Sequence, residues 1–356
     1  MKRYSPLFSL VMIIVCIVVS CSKNDNNPQS VERKPYAWVA GAMDSTGYGM
    51  ILYSADSGET WERQGLGNDA LKDVDVSDIW AVDENTIWAV CSGNVILRSL
   101  DGGKTWIRLQ LPENKTSTLL SAISIVNKNN IWISGSGGTV YNSFDNGNTW
   151  RRYDTTIFRE GLMQGIWAIN SQNVYVAGKS GDIPGESRGY IGYTKDGGAT
   201  WDTVFPADDY NRHEWIGVAA SGHTIVVYGG KAHYMFSTDG GLTWSNDSIL
   251  HTGGVLGADI NHLVMLNPQT WWGALDLSQI FLTTNGGSAW VSQPAVSNGE
   301  FNVGIDAFNS QLAIVVGTLP GWPKKGSIQK TTDGGLTWKN IHTYRSFLNK
   351  VTFIKP

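Results

Sequence analysis

Short apolar runs alternate with turn-forming residues along nearly the whole chain, and no segment carries the 3.6-residue period of a long amphipathic helix. Residues 78 to 111 show the unit. The apolar run "DIWAV" is followed by the turn "DENT" and a second run, "IWAVCSG". Then come "NVILRSL", the turn "DGGKT" and a last run, "WIRLQL". This predicts four short strands joined by tight turns. The turn before the fourth strand belongs to a recurring octapeptide. It reads "SADSGETW" at 54, "SLDGGKTW" at 99, "SFDNGNTW" at 143, "TKDGGATW" at 194, "STDGGLTW" at 237, "TTNGGSAW" at 283 and "TTDGGLTW" at 331. Its third residue falls at Asp56, Asp101, Asp145, Asp196, Asp239, Asn285 and Asp333, in steps of 45, 44, 51, 43, 46 and 48 residues. A period of this size predicts stacked supersecondary units, and four antiparallel strands per unit predict the blades of a propeller.

An octapeptide with Asp, Gly, Thr and Trp looks like a catalytic signature, but an enzyme needs one active site and this chain has seven copies. Turn chemistry accounts for the residues. The Asp carboxylate accepts hydrogen bonds from the amides that follow it. Gly in the fifth place supplies a positive φ at little steric cost. Thr caps the far side, and Trp opens the fourth strand with its ring inward. In the sixth copy Asn285 keeps an acceptor oxygen and Ala289 replaces Thr, so the turn survives a change that a catalytic carboxylate would not.

Seven copies predict an all-β, seven-bladed β-propeller of four-stranded antiparallel blades. The first blade lacks its first strand, since "YAWVAGA" at 36 aligns with the second strand of later blades. The chain ends in "LNKVTFIKP", which has the pattern of a first strand. The C-terminal strand is therefore expected to complete the N-terminal blade and close the ring, which removes exposed sheet edges.

Composition agrees with short strands and tight turns: 41 Gly, 16 Trp and only 16% charged residues in 356. Without a run of like charges or a basic stripe, no nucleic-acid partner is expected. Lys2 and Arg3 precede the apolar "LFSLVMIIVCIVV", too short for a membrane span. "VVSC" at 18 to 21 resembles a bacterial lipoprotein lipobox. The resemblance implies cleavage after Ser20, lipid on Cys21 and, with Ser22 next, delivery to the outer membrane of a cell envelope. The expected organisation is a signal peptide over 1–20, a polar tether over 21–34 and one propeller over 35–356, a monomer held to the membrane by its lipid. Loss of Lys2 and Arg3 leaves 25 basic against 31 acidic side chains, a net charge of −6. Cys16 leaves with the signal, and Cys91 stands alone in an apolar strand, where it reads as a core residue.

Strand parity places function. The octapeptide joins strands three and four, and the turn between one and two lies at the same end. The opposite face carries the blade-to-blade connections and the turns between strands two and three. Binding residues are expected there, where loops converge on the channel. The long segments on that face are 41–49, 153–165, 178–189, 205–215 and 317–326. Candidate ligand residues are Arg159, Glu160, Asp209, Arg212, His213, Glu214, Trp215 and Trp322. Arg212 would clamp an anion and Trp215 would stack on a ring. A glycosidase would need two carboxyl groups roughly 5 to 9.5 Å apart, for which Glu160, Asp209 and Glu214 are candidates. Neither a metal site nor a cofactor fingerprint is present; "DVDVSDIWAVDE" at 73 has calcium-loop spacing but lacks the turn Gly and reads as a strand.

The octapeptide resembles the Asp-box, or BNR, repeat S-x-D-x-G-x-T-W. In families that carry it, the resemblance implies a box between the two outer strands of a blade, away from any active site. Even period and one box per blade resemble the photosystem II stability/assembly factor family, as in "GGTVYNSFDNGNTW" at 137. That resemblance implies a non-catalytic propeller that binds a protein partner. The basic patch of photosynthetic members has no clear counterpart here beyond Arg151 and Arg152. The alternative is a carbohydrate-active enzyme, sialidase-like or another glycoside hydrolase, or a propeller that binds glycans. Against a sialidase stands the absence of an Arg-Ile-Pro stretch.

Overall fold

The computed structural model describes residues 35–112, 118–153, 158, 161–179, 189–204, 214–249, 258–294, 301–321 and 323–354. Blade 1 contains β1 (Ala37–Met43), β2 (Gly49–Ser54) and β3 (Glu62–Arg63). Blade 2 contains β4 (Val76–Ala81), β5 (Ile87–Cys91), β6 (Val95–Ser99) and β7 (Ile107–Gln110). Blade 3 contains β8 (Leu120–Asn127), β9 (Asn130–Gly135), β10 (Thr139–Ser143) and β11 (Arg151–Arg152). Blade 4 contains β12 (Leu162–Ala168), β13 (Val174–Lys179), β14 (Gly189–Thr194) and β15 (Asp202–Val204). Blade 5 contains β16 (Trp215–Ser221), β17 (Thr224–Gly229), β18 (His233–Ser237) and β19 (Ser245–Ser248). Blade 6 contains β20 (Ile260–Met265), β21 (Trp271–Leu275), β22 (Gln279–Thr283) and β23 (Val291–Ser292). Blade 7 contains β24 (Phe301–Ala307), β25 (Ala313–Leu319), β26 (Lys325–Thr331) and β27 (Lys339–Tyr344), and β28 (Leu348–Phe353) returns to blade 1.

Position in the blade explains the composition of each strand. Second strands have a neighbour on each side and a blade on each face, so β5 and β21 are buried throughout. Their Val, Ile and Trp side chains suit a pleated surface covered on both sides. Fourth strands lie at the rim, short and polar; β3 is Glu62–Arg63 and β11 is Arg151–Arg152. Short charged edges resist pairing with another chain. The buried apolar residues fall into seven clusters, each between adjacent blades. Between blades 1 and 2, for example, Trp38 and Ile51 meet Val76, Leu97 and Trp106. Cys91 belongs to that cluster, and burial pushes its thiol up, away from the reactive thiolate.

Ring closure follows the expected route. β28 pairs antiparallel with β1, with Ala37 opposite Phe353, Val39 opposite Val351 and Ala40 opposite Lys350. Leu348, Val351 and Phe353 fill the wedge between blades 7 and 1 with Val39, Leu52 and Ile314. The Phe353 amide also donates to Asp306 Oδ2 of blade 7 at 2.9 Å.

The octapeptides are turn devices with more bonds than the sequence reading assigned. In the first copy the Thr60 amide and hydroxyl donate to Asp56 at 2.9 and 2.6 Å. The leading Ser54 is a hub: its hydroxyl donates to Asp56 Oδ1 at 2.8 Å and accepts the Gly58 amide at 2.8 Å. In the sixth copy Asn285 Oδ1 still accepts the Ala289 amide at 2.9 Å. The fifth-place Gly has a positive φ, 82° at Gly58 and 80° at Gly241, and serves a second purpose. A Cβ on Gly147 would lie 2.5 Å from Trp88 of blade 2, and one on Gly241 would lie 2.2 Å from the Tyr175 hydroxyl of blade 4. In these two copies only a bare Cα lets the turn seat against the preceding blade. The fourth-place amide reaches back to the turn between strands one and two, as in Gly102 to Asn85 O at 3.0 Å and Gly240 to His223 O at 2.9 Å. Both turns therefore share one end of the ring.

Two tests follow from these contacts. Deletion of residues 348–356 exposes the inner edge of β1 and half of an apolar wedge, so Tm drops sharply in thermal denaturation; an unchanged Tm contradicts the closure. In the boxes, the Thr200 hydroxyl and amide pull the Asp196 carboxyl down to about 2, and Thr337 does the same for Asp333. Since the folded values lie below the ordinary 3.8, the stabilisation is complete above that pH and is lost as pH falls toward about 2. The double variant Asp196→Asn, Asp333→Asn should lose less Tm than wild type over that interval; an equal loss contradicts the assignment.

Candidate functional site: the central channel

The residues expected to bind a ligand divide into two groups. Arg159, Glu160, Asp209, Arg212, His213 and Trp322 lie outside the described residues. Glu214 and Trp215 are described, and they differ: the Glu214 side chain is partly exposed, the Trp215 ring is not. Glu214 Oε1 pairs with Lys179 Nζ at 2.8 Å, on a surface where such a pair contributes little. Trp215 is fully buried among Tyr175, Ile191, Val218 and Met235. This corrects its reading as a stacking platform: the ring fills the wedge between blades 4 and 5. Some expected loops are also shorter than the sequence suggested. β1 extends to Met43 and β25 to Leu319, leaving 44–48 and 320–324 between strands.

What the fold does create is a central cavity of about 670 Å³, lined by the innermost strands of all seven blades. Its geometry comes from one repeated irregularity. Each innermost strand bulges near its N-terminal end, which skips Ser77, Ser121, Gln164, Ile216, Asn261, Val303 and Asn349 in the ladder. Bulges bend a strand and re-aim side chains, and all seven skipped residues line the cavity.

The residue after the bulge forms a ring of its own: Asp78, Ala122, Gly165, Gly217, His262, Gly304 and Lys350. Small residues sit where backbones crowd. A Cβ on Gly165 would lie 2.5 Å from the Gly217 Cα, and one on Gly304 would lie 2.9 Å from the Asn349 carbonyl oxygen. The three large members make one polar group. Lys350 Nζ lies 2.6 Å from His262 Nε2 and 3.7 Å from Asp78 Oδ1. A charged ammonium has only donors, so Nε2 accepts and the ring is neutral. Its proton sits on Nδ1, 2.7 Å from the Ile305 carbonyl oxygen.

Much of this polarity serves the backbone. An innermost strand has a hydrogen-bonded neighbour on one side only, so its other edge needs partners. Side chains of the preceding blade supply them. Asp78 Oδ2 accepts the Ile123 amide at 3.0 Å, and Ser124 Oγ accepts the Ala168 amide at 2.9 Å. Asn349 and Asn261 donate to the Val76 and Asn302 carbonyls at 2.9 and 2.8 Å. Burial pushes the Asp78 carboxyl up, and Lys350 opposes that. Deeper in the channel Trp80 and Trp167 pack against each other, ring centroids 5.7 Å apart and planes tilted by 58°.

Sequence reasoning placed function in loops and missed Asp78, His262 and Lys350. Each is a single polar residue in an apolar strand. The signal was available in an alignment of the seven first strands, "SDI", "SAI", "QGI", "IGV", "NHL", "VGI" and "NKV", where only three carry a large polar residue at the centre.

The class defined by this architecture is the seven-bladed β-propeller. No protein-family model matches the chain, and no curated protein sequence matches it. Among solved structures, it is similar to YCF48 bound to D1 peptide, at 17% identity and TM-score 0.56, over 74% of this chain and 81% of that one. It is also similar to YCF48 from Cyanidioschyzon merolae, at 17% identity and TM-score 0.58, over 79% and 96%. A GH74 xyloglucanase from Xanthomonas campestris gives 13% identity and TM-score 0.59, over 90% of this chain and 56% of the enzyme. At these identities the likeness is one of fold.

The placement of Trp215 carries a measurable consequence. Trp215→Ala removes a fully buried ring and should cost about 3–5 kcal/mol in urea unfolding. A loss below about 1 kcal/mol would fit an exposed ring and contradict the burial.

Proposed function

We propose that this protein is a lipid-anchored, non-catalytic binding scaffold of the cell envelope, held at the outer membrane through Cys21 and engaging an extended peptide of a protein partner. The observation that carries the reading is how the described carboxylates are used. The six box carboxylates bind their own turns, as Asp56 and Asp239 do. In the channel, Asp78 and Asp306 each accept two backbone amides. Groups committed to holding the backbone are poorly placed to shuttle protons. One of the similar folds is itself a complex with a peptide, which supports the choice of a peptide over a glycan. The lipobox-like "VVSC" supports the anchor, and two or more acyl chains would make it stable.

The glycoside-hydrolase reading rests on Glu160 and Asp209 and on the xyloglucanase-like fold. One set of assays separates the two. Purified protein is incubated with xyloglucan and sialosides and, in parallel, with an array of envelope-protein peptides; labelled palmitate is followed in cells. The proposal expects saturable peptide binding, no sugar release, and label on wild type but not on Cys21→Ser. Sugar release that is lost in Glu160→Gln or Asp209→Asn would overturn the scaffold reading, and unlabelled wild type would overturn the anchor.

A further inference from the structure

We propose that the central channel binds a free α-amino acid with an aromatic side chain, its carboxylate on Lys350 and its ring against the lumen side of the Trp80–Trp167 pair. The proposal does not depend on the peptide-binding reading above.

The polar group asks for a zwitterion. Lys350 Nζ has three donors, of which one is directed to His262 Nε2. Asp78 Oδ1, at 3.7 Å, makes a long ion pair with Nζ while accepting the Ile79 amide, so the ammonium keeps donor capacity for a ligand. The Lys350 side chain is 24% exposed, and the space it faces is the cavity. An anion there meets a desolvated cation, where charge-assisted bonds are strong. A second anionic charge would be repelled by Asp78, which favours a monocarboxylate over a phosphate.

Acceptors balance the cation. Gln164 Oε1 is buried in the channel wall without a hydrogen-bond partner, and an orphaned buried acceptor is costly. Asn261, also in the channel wall, commits its amide donors to Asp276 and the Asn302 carbonyl, and Asn349 commits one to the Val76 carbonyl. One cation among several acceptors matches a carboxylate beside an ammonium.

Distance sets the side chain. Trp80 lies two residues beyond Asp78 on β4, and Trp167 two residues beyond Gly165 on β12. Both stand about 7 Å below the Lys350 layer, given roughly 3.3 Å per residue. That is the reach from an α-carbon to the far side of an aryl side chain. The two indoles, tilted by 58°, offer aromatic faces and edges to such a ring. The cavity volume, about 670 Å³, lies in the range of small-molecule sites.

The test is isothermal titration calorimetry of the full chain with L-phenylalanine. The comparators are phenethylamine, which lacks the carboxylate, 3-phenylpropionate, which lacks the ammonium, and L-alanine, which lacks the ring. L-phenylalanine should bind most tightly. Lys350→Met should weaken it by about tenfold or more and bring it level with phenethylamine. Because Lys350 lies on the closing strand, Trp167→Leu is the second variant; it should weaken L-phenylalanine while leaving Tm within a few degrees. Absence of saturable binding at millimolar L-phenylalanine would overturn the proposal, as would equal binding of all four compounds or affinity unchanged by both variants.

Discussion

Everything in this molecule depends on the pairing of β28 with β1, a contact between the two ends of the propeller. Without it the first blade would have three strands, and the wedge between blades 7 and 1 would lose Leu348, Val351 and Phe353. The ring would also present an open edge, which sheet proteins avoid. The same strand places Asn349 and Lys350 in the channel, where one bonds the Val76 carbonyl and the other meets His262. Closure of the fold and completion of its polar centre are thus one event.

A second constraint shapes the channel. Seven innermost strands leave seven edges facing one another, and each unpaired amide or carbonyl needs a partner. Asp78, Ser124, Asn261, His262, Asp306 and Asn349 meet that need from the preceding blade, His262 by donating from Nδ1 to the Ile305 carbonyl. Polar residues in the lumen therefore have a structural purpose first. Lys350, shared between His262 and Asp78, and the orphaned oxygen of Gln164 are the groups that this backbone accounting does not use.

Local features were legible in the sequence because their causes are local. The turn at Asp239 is fixed by residues within five positions of it, and the parity of strands follows from counting turns. The closing strand was legible because a missing first strand at Tyr36 and a surplus one at Leu348 are two halves of one pattern. Long-range packing was not. Nothing near Trp215 in sequence shows that Tyr175 and Ile191 will enclose it, so a Trp beside a polar run looked like a binding platform. The glycine of each box was read as a turn residue, while its second role depends on a ring such as Trp88 from the preceding blade. The polar group of Asp78, His262 and Lys350 assembles three blades separated by up to 272 residues and shows only when the bulges are aligned.

Closure itself is tested most directly by amide hydrogen exchange in the intact protein. Val351 on β28 and Val39 on β1 share one ladder. Their amides should exchange as slowly as those of the inner strand pairs of the other blades, and should lose protection together as denaturant is added. Fast exchange over β28, with the other blades still protected, would contradict a ring held shut by its C-terminal strand.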